Sequence, residues 1–94
     1  MSEPEKGVIA VSRAGHDKGR AFIIIGRADT EHVYLVDGTS RKLEHPKKKK
    51  LRHLHVESHV AETVRDLLDG NVGPTDADIR KALAAFGYNI QQGK

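Results

Sequence analysis

The sequence contains no cysteine, no tryptophan and one methionine, and aromatic residues make up 4% of its 94 residues. Without cysteine the chain forms neither disulfides nor thiolate metal sites, which fits a reducing compartment. The rings of Phe22, Tyr34 and Phe86 fall in predicted strands or on an apolar helix face, and we expect them to pack in the core. We therefore expect no stacking platform for the bases of single-stranded nucleic acid.

Long apolar runs are also missing. No stretch approaches the ~20 apolar residues of a membrane span, and the start, MSEPEKGVIAVSRAG, has acidic residues where a secretory signal needs basic ones. A chain of this length makes one domain, or a small domain with an appendage, that buries roughly 60 to 70% of its unfolded surface. A spacious catalytic cleft does not fit in it. We expect a soluble, cytoplasmic protein that does not engage a membrane.

Motifs for catalysis and metal binding are absent as well. The sequence has no nucleophile elbow, no Walker loop and no helical His-Glu zinc pattern. The segment RADTEH, residues 27 to 32, is typical of a polar turn between strands. His55 and His59 are four apart, but His55 falls in a predicted strand and no carboxylate pair completes a metal site. We predict a protein that is not an enzyme and has no metal or other cofactor. We expect His53 and His55 to lie beside phosphates of a bound ligand rather than to hold a metal ion.

Charge is unevenly distributed around a formal net charge of +3. From Arg13 to Arg52 the chain carries eleven Lys or Arg against five Asp or Glu, whereas the rest of the chain is net acidic. Such an asymmetry favours a polyanionic partner for the basic portion. Acidic residues of the tail portion are Glu57, Glu62, Asp66, Asp69, Asp76 and Asp78.

Three short segments have the composition of strands: GVIAVS, AFIIIG and HVYLV, which start at Gly7, Ala21 and His32. The turn signal DGTS follows and predicts a short fourth strand around Arg41 to Leu43, ended by Pro46. KLRHLHV, residues 50 to 56, predicts a fifth strand. The two middle strands are apolar on both faces, so one face fills a small barrel and the other needs cover.

After Val56 the apolar period changes to that of helices. Val60, Val64, Leu67 and Leu68 predict one helix that ends near Gly70, and Thr75 begins a second one as its N-cap. The helices either cover the open face of the barrel or associate with those of a second chain. The predicted organisation is a disordered lead-in at 1 to 5, a barrel at 6 to 56, a helical hairpin at 57 to 88 and a frayed tail at 89 to 94.

The loop RAGHDKGR, residues 13 to 20, and its flanks carry a family resemblance. VSRAGHDKGRAFIIIG, residues 11 to 26, resembles the KOW motif, and with VDGTSRKLEHPKKKKLRHL, residues 36 to 54, the chain resembles bacterial KOW-domain RNA-binding proteins related to large-subunit ribosomal proteins of archaea and eukaryotes. The resemblance covers Lys6 to His55. It implies an SH3-like five-stranded barrel, association with structured RNA or the ribosome, and no catalysis. Gly19 matches the key glycine, whereas His16 stands where the motif has Lys or Arg.

The lysine run Lys47 to Lys50 has two interpretations, a mobile charged linker or half of a basic surface. Its place between predicted strands, next to the loop at 13 to 20, favours the surface. The predicted RNA-binding residues are Arg13, Gly15, His16, Lys18, Gly19, Arg20, Arg41, Lys42, Lys47, Lys48, Lys49, Lys50, Arg52 and His53. Because aromatic residues are scarce, we expect the ligand to be recognised through its phosphates and its shape. This favours folded or double-stranded RNA, with ribosomal RNA in the large subunit as the first candidate.

A second hypothesis belongs to another class. SH3-like barrels also bind proteins, and fold does not fix function. The chain is then an adaptor of the translation machinery that docks a ribosomal protein or a translation factor through the barrel and the acidic helices. An exposed apolar groove between barrel and helices would distinguish it.

Overall fold

A computed structural model describes residues 5 to 90, and the remainder of the predicted lead-in and tail lies outside that range. Five strands form one antiparallel sheet in the order β4-β3-β2-β1-β5, and two helices follow. The prediction of a mainly β fold with two C-terminal helices is confirmed, and the architecture is consistent with a small barrel followed by a helical hairpin. The elements are β1 Val8–Ser12, β2 Ala21–Arg27, β3 His32–Val36, β4 Lys47–Lys50, β5 Leu54–Val60, α1 Glu62–Asp69 and α2 Asp76–Ala85.

The first three strands lie where the sequence predicts them, but the fourth does not. Residues 41 to 43 belong to a compact turn, and the fourth strand is the lysine run itself. It pairs with β3 in the register Tyr34↔Lys48 and Leu35↔Lys47. Pro46 therefore precedes the strand rather than ending one, a position where its missing N–H is tolerated. A 3-10 turn, Leu51–His53, then leads into β5, which extends to Val60 at the expense of the predicted helix.

Two apolar clusters lie on opposite faces of the sheet, because successive side chains of a strand alternate between faces. The first cluster contains Phe22 and Ile24, and the second contains Ile9 and Ile23. Residues from α1 and α2 complete the second cluster, so the helices cover the open face of their own sheet, as the first of the two interpretations had it. The helix-side residues are Ala61, Val64, Ile79 and Leu83.

Side chains stabilise the start of α2 and hold the residues that follow it against the sheet. At the start, Thr75 and Asp78 form a capping box, which confirms the prediction of Thr75 as the N-cap. After α2, the Asn89 amide donates to the carbonyl oxygen of Ala21 (2.8 Å) and accepts from the Ala21 amide (3.0 Å). Tyr88 donates to Glu57 Oε1 (2.6 Å), a bond that raises the pKa of Tyr88 to about 12. The helical hairpin is thereby fixed to both β2 and β5.

Candidate nucleic-acid interface

The loop between β1 and β2, residues 13 to 20, is closed at its base by backbone hydrogen bonds. Gly19 N donates to Ser12 O (2.8 Å) and Ser12 N donates to Arg20 O (2.9 Å). Gly15 and Gly19 have φ of +79° and +87°, a region that residues with a Cβ rarely adopt. The loop therefore depends on these two glycines, and it leaves the side chains of Arg13, His16 and Lys18 exposed.

The lysine strand β4 lies directly beside this loop. Lys49 Nζ donates to the carbonyl oxygen of Ala14 (3.1 Å), and Lys47 Nζ lies 3.8 Å from Asp17 Oδ2. Arg41 Nη2 approaches the same carboxylate from the turn before β4, at 4.0 Å. The loop and part of the lysine run thus meet on one side of the sheet edge, and the interpretation of the run as a mobile linker is wrong.

The strand distributes its lysines between two sides. Lys48 and Lys50 alternate with Lys47 and Lys49, and they face the loop between β2 and β3. Lys48 Nζ lies 3.9 Å from Asp29 Oδ2, and Lys50 Nζ lies 4.0 Å from Glu31 Oε1. The run is therefore two pairs of ammonium groups that flank an edge strand, rather than one continuous row. Lys47 and Lys49 lie on its first side, by the β1–β2 loop, and Lys48 and Lys50 lie on its second side, by the β2–β3 loop.

Asp29 fixes the conformation of the β2–β3 loop on the second side of the lysine strand. Its Oδ1 accepts from the Glu31 amide, the His32 amide and the His32 ring, so residues 27 to 32 form the polar turn that the sequence predicts. The bond from the His32 side chain is the main cause that lowers the pKa of Asp29 to about 2. Asp29 is thus ionised beside Lys48 throughout the physiological pH range.

Arg20 has a structural partner that the sequence did not reveal. Its Nε donates to Oδ2 of the buried Asp37 at 2.8 Å. Asp37 also accepts from the amides of Thr39 and Arg41 (2.9 and 2.8 Å) and from the Ser40 hydroxyl (3.0 Å). Burial alone would raise the pKa of Asp37, but the bonds from these amides and side chains outweigh it and lower the pKa. The DGTS segment signalled a turn, but not that its aspartate holds Arg20.

Other predicted cations are more available. Within residues 5 to 90, Arg13, Lys18, Lys42 and Arg52 are exposed and make no ion pair. Arg52 lines a shallow depression together with Lys50 and Glu31, which places it on the second side of the lysine strand. His53 is half-buried, and its carbonyl oxygen accepts from the Arg13 amide (2.8 Å), which ties the β1–β2 loop to the start of β5.

The aromatic residues differ from expectation. Phe22 is fully buried as predicted, but Tyr34 and Phe86 are 38% and 41% exposed. Tyr34 lies opposite Lys48 in the β3–β4 register, so its ring shares the second side with Lys48 and Lys50. The alternation of β3, with Val33 and Leu35 buried, would have placed Tyr34 on the outside. One exposed ring therefore accompanies the basic groups.

No family model matches the chain, and no curated protein matches it. Within residues 5 to 90, no three His, Asp or Glu side chains are grouped so that they could hold a metal ion. In the same range, no helix has the length and apolar character required to cross a membrane.

Proposed function

We propose that the chain is a noncatalytic RNA-binding protein of the cytoplasm whose ligand is structured RNA, with ribosomal RNA in the large subunit as the first candidate. The observation that carries the proposal is the contact between the lysine strand and the glycine-dependent β1–β2 loop, marked by the bond from Lys49 Nζ to Ala14 O. It groups exposed cations from two separate segments of the chain. The resemblance of residues 11 to 26 to the KOW motif supports the same conclusion.

The chemistry of the face favours phosphates over bases. Lys and Arg side chains dominate the surface formed by the β1–β2 loop and the lysine strand, and within the described residues Tyr34 is the one exposed Phe or Tyr ring that lies on it. Phosphate contacts fix position and supply affinity without reading sequence, whereas base recognition in single strands requires several stacking rings. A ligand that presents closely spaced phosphates on a rigid shape fits such a face, and folded or double-stranded RNA has this property.

The dependence of affinity on salt tests this proposal. If about six cations neutralise phosphates, a plot of log affinity for a short RNA duplex against log salt concentration should have a slope of roughly −4 to −5. Fluorescence anisotropy with labelled duplex measures it. A slope near zero, or no binding at low salt, would contradict the electrostatic interface.

A second candidate function, protein adaptor, is favoured by one observation. An open groove runs between the β5–α1 junction and α2, with an apolar lining that includes Val60, Ala82 and the exposed Phe86. Two acidic residues, Glu62 and Asp78, and one basic residue, Lys81, also line it, so a basic segment with an apolar anchor would fit it. Capture of a ribosomal protein or translation factor that survives nuclease treatment, and is lost in Phe86→Ser, supports the adaptor; capture that nuclease abolishes supports RNA.

A further inference from the structure

Each side of the lysine strand is faced by carboxylates from a neighbouring loop. Asp17 lies against Lys47 on the first side, and Asp29 and Glu31 lie against Lys48 and Lys50 on the second. Three of the four lysines therefore have an internal anionic partner. The fourth, Lys49, donates to a backbone carbonyl.

These ion pairs are loose. Their N···O separations of 3.8 to 4.0 Å exceed the ~2.7 to 2.9 Å of a charge-assisted hydrogen bond. Lys48 and Lys50 are also 52% and 37% exposed, and pairs of that kind are weak because water and salt screen them. A lysine can leave its carboxylate at little cost.

The Arg41 guanidinium gives independent support on the first side. Its Nη2 lies 4.0 Å from Asp17, and its Nε is buried without a hydrogen-bond partner within the described residues. A buried donor without a partner is unfavourable. The present contact between Arg41 and Asp17 therefore leaves the guanidinium incompletely satisfied, and an arrangement in which it meets a phosphate instead is accessible.

We propose that Asp17, Asp29 and Glu31 are internal competitors of phosphate, which weaken every contact with the lysine strand so that a single phosphate does not bind appreciably and a polyanion with several phosphates does. This inference rests on the proposed function and concerns the same surface. The competitors hold the lysines while no ligand is bound, and the ligand replaces them.

The difference between a single phosphate and a polyanion follows from the balance at each lysine. A single phosphate that takes one lysine exchanges one weak ion pair for another and gains little. A duplex backbone takes several lysines together, because the first contact raises the effective concentration of the remaining phosphates, and each contact releases a counterion. Asp29 is anchored by two backbone amides, so in the exchange the flexible lysine moves and the carboxylate stays.

The test compares two triple variants with the wild type. The site variant is Asp17→Asn, Asp29→Asn, Glu31→Gln; its amides have nearly the same shape, and an asparagine at 29 can still accept the turn amides. The control variant, Glu62→Gln, Asp66→Asn, Asp69→Asn, makes the same change of net charge on α1. The probes are a short RNA duplex and a ribonucleoside monophosphate. Thermal unfolding checks that each variant folds, and Asp17→Asn alone serves if the site variant does not.

The expected results differ between the variants. The site variant should bind the duplex about tenfold more tightly than the wild type near physiological salt, and the control about twofold. For Asp17→Asn alone we expect a rise of about threefold. The site variant should also bind the monophosphate more tightly, but only by about threefold, because a single phosphate replaces one competitor rather than three.

Two failures remain distinguishable. If all the proteins bind the duplex but the site variant gains no more than the control, the carboxylates position the lysines and do not compete with phosphate, which overturns this inference alone. If none of the proteins binds RNA at any salt concentration, the proposed function itself is wrong and the inference falls with it.

Discussion

Replacing Asp37 by alanine should lower the free energy of unfolding by about 3 kcal/mol, because it removes the buried anion that holds Arg20 and the turn after β3. The Asp37 carboxylate accepts four hydrogen bonds and is shielded from water, whereas Arg20 is partly exposed. Loss of the carboxylate leaves the Thr39 and Arg41 amides without their acceptor. Urea denaturation followed by circular dichroism measures the change.

A matched control makes the Asp37 measurement specific. Asp66 is exposed on α1, and its alanine variant should stay within about 0.5 kcal/mol of the wild type. Asp37→Asn should fall between the two, because the amide oxygen still accepts the turn amides but no longer carries the charge. An Asp37→Ala variant as stable as Asp66→Ala would show that this network does not hold the turn.

The pH dependence of the Asp37 effect has a definite sign. The folded-state pKa of Asp37 lies below its usual value of 3.8, so ionisation stabilises the folded protein above that value. As pH falls below 3.8 and through the folded-state pKa, this stabilisation is lost. The difference in stability between wild type and Asp37→Asn should therefore be constant near neutral pH and shrink at acid pH.

Replacing Lys47 to Lys50 by glutamine should weaken binding to an RNA duplex by about 100-fold at low salt, across all sequences, and make the salt slope shallower by about one for each lost phosphate contact. Glutamine is compatible with the backbone pairing of β4 with β3 and keeps most of the length of the lysine side chain without its charge. Circular dichroism should show an unchanged fold. The pairs Lys47→Gln, Lys49→Gln and Lys48→Gln, Lys50→Gln then test the two sides of the strand separately.

The control for the two pair variants removes the same number of positive charges elsewhere. Lys6 and Lys81 are exposed, outside the basic face, and their double glutamine variant should lose no more than about twofold in affinity. If the lysine-strand variants behave like this control, the lysines have another role. Charged residues on an edge strand prevent it from pairing with other chains, and aggregation of the quadruple variant would then be the expected result.

The sequence predicts the first three strands because their Val- and Ile-rich runs are bounded by turn residues. It does not predict β4, because four lysines have no apolar period and little preference for strand structure. Pairing with β3 overrides that preference, and an edge position lets lysine side chains reach water. Two strands with apolar residues on both faces require cover, but the sequence does not tell whether the helices of the same chain or of a second chain supply it, and the structure shows the former.

The loop and the lysine run were predicted to be neighbours, and the contact of Lys49 with Ala14 confirms this. The partners of these cations were not predicted. Asp17, Asp29 and Glu31 meet the lysines only through the register of β3 and β4 and the shape of two loops, and sequence spacing does not define either of these. The exposure of Tyr34 was missed because the whole of β3 reads as apolar.

A map of the RNA contact on the protein tests the central claim most directly. Backbone amide resonances of the isotopically labelled chain, followed by NMR during titration with a short RNA duplex, report which residues sense the ligand. We expect the largest shifts in residues 13 to 20 and 47 to 53, and small shifts in α1 and α2. Shifts confined to the helices or to the groove beside Phe86, or no shifts at all, would contradict an RNA interface formed by the loop and the lysine strand.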